Sequence, residues 1–213
     1  QLRLRRRRKP MTDKKGLLLV VSGPSGAGKG TVCKRLVEKR DDVFLSVSAT
    51  TRAPREGEIN GKHYHFISEA DFEERIRTGG MLEHAVFCGN YYGTPKQAVD
   101  EMLAAGKNVI LEIEVQGAMK VRSHYPEGVY IFVLPPSMQE LRKRLTERGT
   151  ESPEVVEERL GTAAWEFTHI QKYNYILLND DVEKAVCRLE AIIDAEHCRT
   201  ERNINFIEEV CHS

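Results

Sequence analysis

A glycine-rich segment, Gly23-Pro-Ser-Gly-Ala-Gly-Lys-Gly-Thr31, directly follows the apolar run Leu17-Leu-Leu-Val-Val21. A strand that turns through glycines into a helix points several backbone N–H groups, and the positive end of the helix dipole, at one place. Glycine is needed there because a Cβ would block the close approach of phosphate oxygens to the backbone. Lys29 adds a point charge for the β- and γ-phosphates of a nucleotide. The segment is therefore predicted to be a phosphate-binding loop.

The loop departs from the strict phosphate-loop pattern at one position. Gly30 stands where a Ser or Thr usually follows the lysine, and Thr31 comes one residue later. The hydroxyl that would serve a magnesium ion is therefore assigned to Thr31, acting through water. The alternative, a glycine-rich turn of an ordinary α/β protein, is less favoured because the loop has a strand before it and a helix after it.

A second group of residues narrows the chemistry to a particular acceptor. Two arginines separated by a rigid Ala-Pro, in Ser48-Ala-Thr-Thr-Arg52-Ala-Pro-Arg55, suit one dianion. The tyrosines that follow add hydroxyl donors and flat apolar area. Glu83, with hydroxyl side chains nearby, suits a base edge that offers paired N–H donors. Guanine has that edge and adenine does not, so an adenine would leave the carboxylate without a partner.

Short apolar runs alternate with helical patterns along the chain, which predicts an α/β fold with a mostly parallel sheet covered on both faces. The predicted strands are residues 17–21, 109–111, 129–134 and 176–178. Predicted helices cover residues 31–40, 115–124 and 137–148, and an apolar stripe at helical spacing runs from Val182 to Ile193. From about Asn203 the signals are weak.

Two segments interrupt this alternation. Residues 48–97 predict a small α+β insertion with a turn at 58–61, a strand at 62–66, a helix from the N-cap Ser68 to Ile76, a strand at 81–87 and a turn at 89–90. Residues 148–167 carry glycine, proline and several charges, which predicts a mobile flap. The chain is thus divided into a disordered basic leader (1–12), a core (13–47, 98–138 and 169–202), an acceptor-binding insertion (48–97), a lid (139–168) and a tail (203–213).

Composition excludes several classes of protein. The 213 residues fit one domain with insertions. Residues 1–10 hold six arginines and lysines and no acid, so the rest has a net charge of −6, unlike a general nucleic-acid binder. We take the leader as uninformative and Met11 as the natural start. Five cysteines without a Cys-x-x-Cys pair favour free thiols in the cytoplasm, and no apolar run is long enough to span a membrane.

Three motifs together resemble the guanylate kinase family: Ser48-Ala-Thr-Thr-Arg52-Ala-Pro-Arg55, Gly89-Asn-Tyr-Tyr-Gly93 and Arg148-Gly-Thr-Glu151. The resemblance covers the chain from about Leu17 to Glu196. It implies a P-loop kinase core with a five-stranded parallel sheet flanked by helices, a GMP-binding subdomain and a helical lid. It also implies a cytoplasmic enzyme of purine metabolism that transfers the γ-phosphoryl group of ATP to GMP or dGMP with Mg²⁺. A homo-oligomer is possible.

The resemblance assigns roles to individual residues. The ATP-binding segment comprises Gly23, Pro24, Ser25, Gly26, Ala27, Gly28, Lys29, Gly30 and Thr31. Guanine is surrounded by Ser48, Glu83, Thr94 and Glu112. The GMP phosphate is bound by Arg52, Arg55, Tyr64 and Tyr92. The catalytic cations are Lys29, Arg52, Arg144, Arg148 and Arg159.

Each assignment has a structural alternative. Arg144 and Arg148 lie four residues apart and could form the solvated face of a helix, and Glu83 could face solvent from its strand. His63 and His65 alternate like a metal-binding pair, but no further ligand is apparent, so we take them as structural. For the whole chain, the alternatives are a protein-binding scaffold, which typically has a degraded phosphate loop, and a kinase for another small nucleotide or phosphorylated sugar.

Overall fold

The computed structural model describes residues 15–87, 89–147 and 152–212. In chain order, its helices and strands are β1 (Leu18–Ser22), α1 (Lys29–Lys39), β2 (Val43–Leu45), β3 (Ala49–Thr50), β4 (His65–Phe66), α2 (Glu69–Arg77), β5 (Met81–Phe87), β6 (Asn90–Pro95), α3 (Lys96–Ala104), β7 (Asn108–Glu112), α4 (Val115–His124), β8 (Val129–Leu134), α5 (Met138–Glu147), α6 (Pro153–Phe167), β9 (Tyr175–Leu178), α7 (Val182–His197) and α8 (Ile204–Cys211).

The larger sheet has five parallel strands in the order β2-β7-β1-β8-β9. Both of its faces are buried, and this explains why its central strands are almost wholly apolar. Leu19 and Val21 of β1 pack on the side covered by α1 and α7, whereas Leu18 and Val20 pack on the side covered by α3 and α4. The predicted fold class is therefore confirmed, including the five strands implied by the resemblance.

The smaller sheet is built from the predicted insertion and has the order β4-β3-β6-β5. The helix after the Ser68 N-cap is confirmed, since the Ser68 hydroxyl accepts the N–H of Asp71 at 3.1 Å. The predicted strand at 62–66 is wrong in its first half, where Gly61 takes a φ of +77° and the chain forms a turn. The Ile59 N–H donates to His63 Nδ1 at 2.9 Å, so His63 holds this turn together.

The helices differ from the predictions mainly at the ends. Helix α1 begins at Lys29, two residues before the prediction, because Gly28, at a φ of +88°, is its N-cap. The expected flap is the regular helix α6, with Pro153 in its first turn. Helices α5 and α6 share a small apolar core of their own, made of Leu141, Leu145, Val156, Leu160 and Ala163. The tail contains α8, and the sequence did not predict β2 or α3.

In residues 15–87, 89–147 and 152–212, every helix is too short or too polar to cross a membrane.

Candidate functional site

The glycine-rich loop leaves the carboxyl end of β1 and enters α1 with the geometry of a phosphate cradle. Gly23, Gly26 and Gly28 all have positive φ, which L side chains rarely adopt. At Gly23, a Cβ would lie 2.4 Å from the Val133 carbonyl oxygen of the neighbouring strand. The loop is thus both bent and packed in ways that only glycine permits.

The far edge of the large sheet holds this loop in place. The Asn179 side chain follows β9 and donates from Nδ2 to the Ala27 carbonyl at 2.7 Å. The same Nδ2 would lie 2.3 Å from a Cβ at Gly28. The position of the loop therefore depends on a residue 152 positions away in sequence.

Lys29 lies within the loop and faces an acidic wall. Its Nζ donates to the carbonyls of Gly23 (2.5 Å) and Pro24 (3.1 Å). Burial lowers the pKa of Lys29, and the negative charges of Glu112, Glu166 and Glu114 oppose that shift, in that order of size. The site thus places one cation among three carboxylates, where an incoming polyphosphate meets the lysine.

The Glu112 carboxylate lies where a Ser or Thr side chain at position 30 would project. A Cβ at this position would lie 3.3 Å from Glu112 Oε1, so the carboxylate fills the space into which a Ser or Thr would project. At the end of β7, Glu112 faces Lys29 and Gly30, and its place beside guanine stays a prediction of the resemblance. Burial raises the pKa of Glu112 and the Lys29 charge lowers it.

Glu83 is the buried carboxylate that a base-reading site requires. It pairs with Thr94 across β5 and β6, is only 9% exposed, and accepts the Thr94 hydroxyl at 2.8 Å on Oε1. A Cβ on Gly117 of α4 would lie 3.1 Å from Glu83 Oε2, so glycine is what lets the helix approach. Burial raises the pKa of Glu83. The solvent-facing alternative for Glu83 is wrong.

The predicted phosphate-binding residues of the insertion meet around one guanidinium. Arg52 forms a two-pronged ion pair with Glu58, with 2.9 Å for each N–H···O contact. Its guanidinium carbon lies 5.5 Å from the centre of the Tyr64 ring, and Tyr92 packs edge-on against Tyr64 with ring centres 6.0 Å apart. Arg52, Tyr64 and Tyr92 therefore form one cluster, and their binding of the GMP phosphate stays a prediction.

The other two predicted residues of the insertion lie beside this cluster. Arg55 is exposed at the tip of the same loop, and its backbone N–H donates to Glu58 at 2.7 Å. Ser48 directly precedes β3, and its carbonyl accepts the N–H of His65 at 2.8 Å. Ser48 therefore lies before β3, whereas Arg52 and Arg55 follow it.

The two described lid arginines, Arg159 and Arg144, contact different parts of the protein. Arg159 donates from Nη1 to the Ser25 hydroxyl at 2.7 Å, so α6 contacts the phosphate loop directly. Arg144 instead donates to Glu140 (2.9 Å) and to the Asn179 carbonyl (3.2 Å). Arg148 lies outside the described residues.

Two clefts flank the loop. A cleft of about 900 Å³ contains Lys29, Glu112, Arg159 and Glu166, and a second of about 370 Å³ contains Thr31, Arg144 and Asn179. Glu114 lies on the wall of the first cleft, and its charge adds to the raised pKa of both Glu83 and Glu166.

Sequence reasoning missed three acidic residues of the site. Glu166 on α6 is only 6% exposed and faces the Lys29 cleft, Glu114 precedes α4, and Glu58 holds Arg52. Glu58 had a usable signal, since it lies six residues after Arg52 in a predicted turn. Glu166 had none, because its segment was predicted to be a flap.

Comparison with known proteins gives a consistent result. The family model described as guanylate kinase matches residues 15–196. The guanylate kinase of Clostridium perfringens is 56% identical over 190 residues, which covers 89% of this chain and 88% of that protein. That of Caldanaerobacter subterraneus is 55% identical, covering 89% and 92%. The crystal structure of guanylate kinase from Anaplasma phagocytophilum has a TM-score of 0.71 and 36% identity, covering 89% of this chain and 90% of that one.

Proposed function

We propose that this chain, which belongs to the guanylate kinase family and therefore transfers the γ-phosphoryl group of ATP to GMP, binds its two substrates with two separate groups of residues. The loop at the end of β1 takes the donor and the small sheet takes the acceptor. The observation that carries this division is the buried Glu83–Thr94 pair, which lies on the insertion and away from the phosphate loop.

The donor triphosphate lies along the loop. Its N–H groups and the start of α1 bind the phosphate oxygens, and Lys29 serves the β- and γ-phosphates. The adenosine end occupies the smaller cleft, where Arg144 and Asn179 lie. The γ-phosphoryl end points into the larger cleft, towards Arg159.

Magnesium fits the residues that surround the loop. In the described part of the chain, no three His, Cys, Asp or Glu side chains come together as a protein metal site. Mg²⁺ commonly keeps several waters and takes one or two carboxylates together with substrate phosphates. Thr31 and Glu112, which lies beside the neighbouring Gly30, would hold the ion through water, and the ion would neutralise phosphate charge.

The acceptor base is recognised by Glu83. The carboxylate accepts from guanine N1–H and the exocyclic amine, with Thr94 and Ser48 completing the polar edge. Adenine lacks this donor pair and would leave a buried carboxylate unpaired. Because the assigned residues face the base and the phosphate, we propose that dGMP is accepted as well.

The acceptor phosphate is held by the cluster on the insertion. Arg52, Arg55, Tyr64 and Tyr92 supply its hydrogen-bond donors. The second pKa of a nucleotide phosphate is about 6, so the acceptor is mostly dianionic at neutral pH and needs no general base.

Transfer then depends on positioning and on compensation of charge. Lys29 and Arg159 stabilise the charge that spreads over the moving phosphoryl oxygens. Arg148 keeps its predicted place in this group. Closure of α5 and α6 over the cleft excludes water, which would otherwise hydrolyse ATP.

We place the enzyme in the cytoplasm, in agreement with Cys33, Cys187, Cys198 and Cys211 being free thiols in the described residues. Its partners are small nucleotides, not nucleic acid or membrane, and a homo-oligomer remains a prediction.

The experiment that tests the acceptor is a coupled assay of ADP release with GMP, dGMP, AMP, UMP and dTMP. We expect turnover with the two guanine nucleotides only. Equal turnover with AMP would contradict the role of Glu83, and ADP release that requires no acceptor would contradict the kinase itself. A protein-binding scaffold would release no ADP with any of these nucleotides. Such a scaffold would not need the intact glycines and Lys29 of the loop.

A further inference from the structure

Glu58 accepts three hydrogen bonds from residues of the acceptor-phosphate cluster. Recognition of the base or of the donor does not explain these contacts. Its Oε2 accepts from Arg52 Nη1 (2.9 Å) and from the Arg55 backbone N–H (2.7 Å), and its Oε1 accepts from Arg52 Nη2 (2.9 Å). The side chains of Arg52 and Glu58 are only 15% and 19% exposed. One carboxylate therefore joins both arginines of the loop.

Only a carboxylate can make this set of contacts. Its two oxygens accept all three N–H donors, whereas an amide has one acceptor oxygen and would turn its NH₂ towards a donor. Hydrogen bonding to Arg52, the largest effect, lowers the pKa of Glu58 to about 2. Glu58 therefore stays ionised throughout the pH range in which a kinase is assayed.

The ion pair with Glu58 occupies the end edge of the guanidinium and not its side edge. Arg52 has five N–H donors, of which Glu58 and the Ala53 carbonyl take three through Nη1 and Nη2, and the Tyr92 side chain is a further hydrogen-bond partner of this guanidinium. The donors on Nε and the rest of Nη2 form the side edge, which matches two oxygens of a phosphate. The rings of Tyr64 and Phe66 lie 5.5 and 5.6 Å from the guanidinium carbon and restrict its movement.

We propose that Glu58 is a positioning residue for the acceptor phosphate: it holds the end edge of Arg52 and the backbone of Arg55 so that the side edge of Arg52 faces the dianion. This rests on the proposed function, since it takes the dianion to be the phosphate of GMP. Glu58 repels a phosphate that approaches its own side and thus selects the orientation in which GMP binds.

The test compares the affinities for GMP and for guanosine, which has the same base but no phosphate. Calorimetry on the full chain measures both dissociation constants for wild type and Glu58→Gln. We expect GMP affinity to fall about tenfold or more, as for loss of a hydrogen bond to a charged group, with guanosine affinity unchanged. In turnover assays, KM for GMP rises by a similar factor, whereas kcat and KM for ATP stay near wild type.

Control measurements test whether the loss of GMP affinity is specific to the Glu58 carboxylate. Glu56→Gln removes an equal charge from an exposed position of the same loop, and we expect no change in either affinity. Glu58→Asp keeps the carboxylate on a shorter stem and should recover part of the GMP affinity. Thermal unfolding of each variant shows whether the fold is retained.

Two outcomes would overturn the proposal. An unchanged or improved GMP affinity in Glu58→Gln would mean that the carboxylate does not position Arg52 or even competes with the phosphate. Equal losses for GMP and guanosine would mean a general structural role. The proposed function fails in a different way, when wild type binds GMP no better than guanosine.

Discussion

Replacing Glu83 with Gln separates the charge of the base-reading side chain from its shape. The two side chains have nearly the same size, and Gln keeps an oxygen that can accept the Thr94 hydroxyl, which is 2.8 Å away in the wild type. What changes is the second acceptor, which becomes an NH₂ donor. Guanine then meets one acceptor and one donor where it needs two acceptors.

The magnitude follows from the hydrogen bonds to a charged group. Each is worth about 1.5–3 kcal/mol, so the loss of one predicts an increase of roughly 10- to 100-fold in KM for GMP. KM for ATP should stay unchanged because the phosphate loop is on the other sheet. kcat should fall less than KM rises, because Lys29 and Arg159 are untouched.

The same substitution has an opposite effect on stability. Burial raises the pKa of Glu83 above 4.5, so its protonated form is favoured in the folded state. A raised carboxyl pKa contributes stability at low pH, and this is lost as the pH rises through the folded pKa. At pH 7–8 the ionised Glu83 therefore destabilises the free enzyme, and we expect the Tm of Glu83→Gln to equal or exceed that of wild type. The difference should narrow as the pH falls.

Steady-state kinetics with both substrates and thermal unfolding at pH 5 and 8 measure these effects. Glu73→Gln on α2, an exposed position of the same subdomain, is the matched control and should behave as wild type. Unchanged KM for GMP, or a Tm below wild type at pH 8, would show that the reasoning about burial and recognition is wrong.

Three other substitutions test the donor half. Lys29→Ala should lower kcat about 10²–10³-fold while the dissociation constant of GMP stays constant; near-normal kcat in a stopped assay would refute its role. Arg159→Ala should lower kcat more than it raises either KM, whereas Arg142→Ala, which removes a lid arginine paired with Glu157, should not. Gly28→Ala should lower the Tm and raise KM for ATP, because the new Cβ would lie 2.3 Å from Asn179 Nδ2 at a φ of +88°; an unchanged melting curve would contradict this.

Much of the core could be predicted because its strands are buried on both faces and therefore leave continuous apolar runs. Residues 129–134 were predicted to form a strand with the bounds that the structure has. The edge strand Val43–Leu45 has only three residues and leaves no such pattern. The alternation at 62–66 was misleading, since Gly61 and His63 make a turn from residues that also fit a strand.

The candidate site could be predicted where chemistry restricts the residue type. Lys29 and Arg52 follow from what phosphates require, and Glu83 follows from what guanine requires. The position of Glu112 could not be found in this way, because a carboxylate at a strand end suits either a base or a cation. Its nearness to Gly30 and Lys29 shows that it faces the loop.

The tie between Asn179 and the phosphate loop has a consequence for biosynthesis. The loop sequence leaves the ribosome early, but the amide that holds the Ala27 carbonyl belongs to a residue 152 positions later, after the last strand of the sheet. A nascent or truncated chain that ends before β9 carries every residue of the loop without the contact that fixes its shape. This hydrogen bond to the loop therefore forms only after β9 and Asn179 have been synthesised.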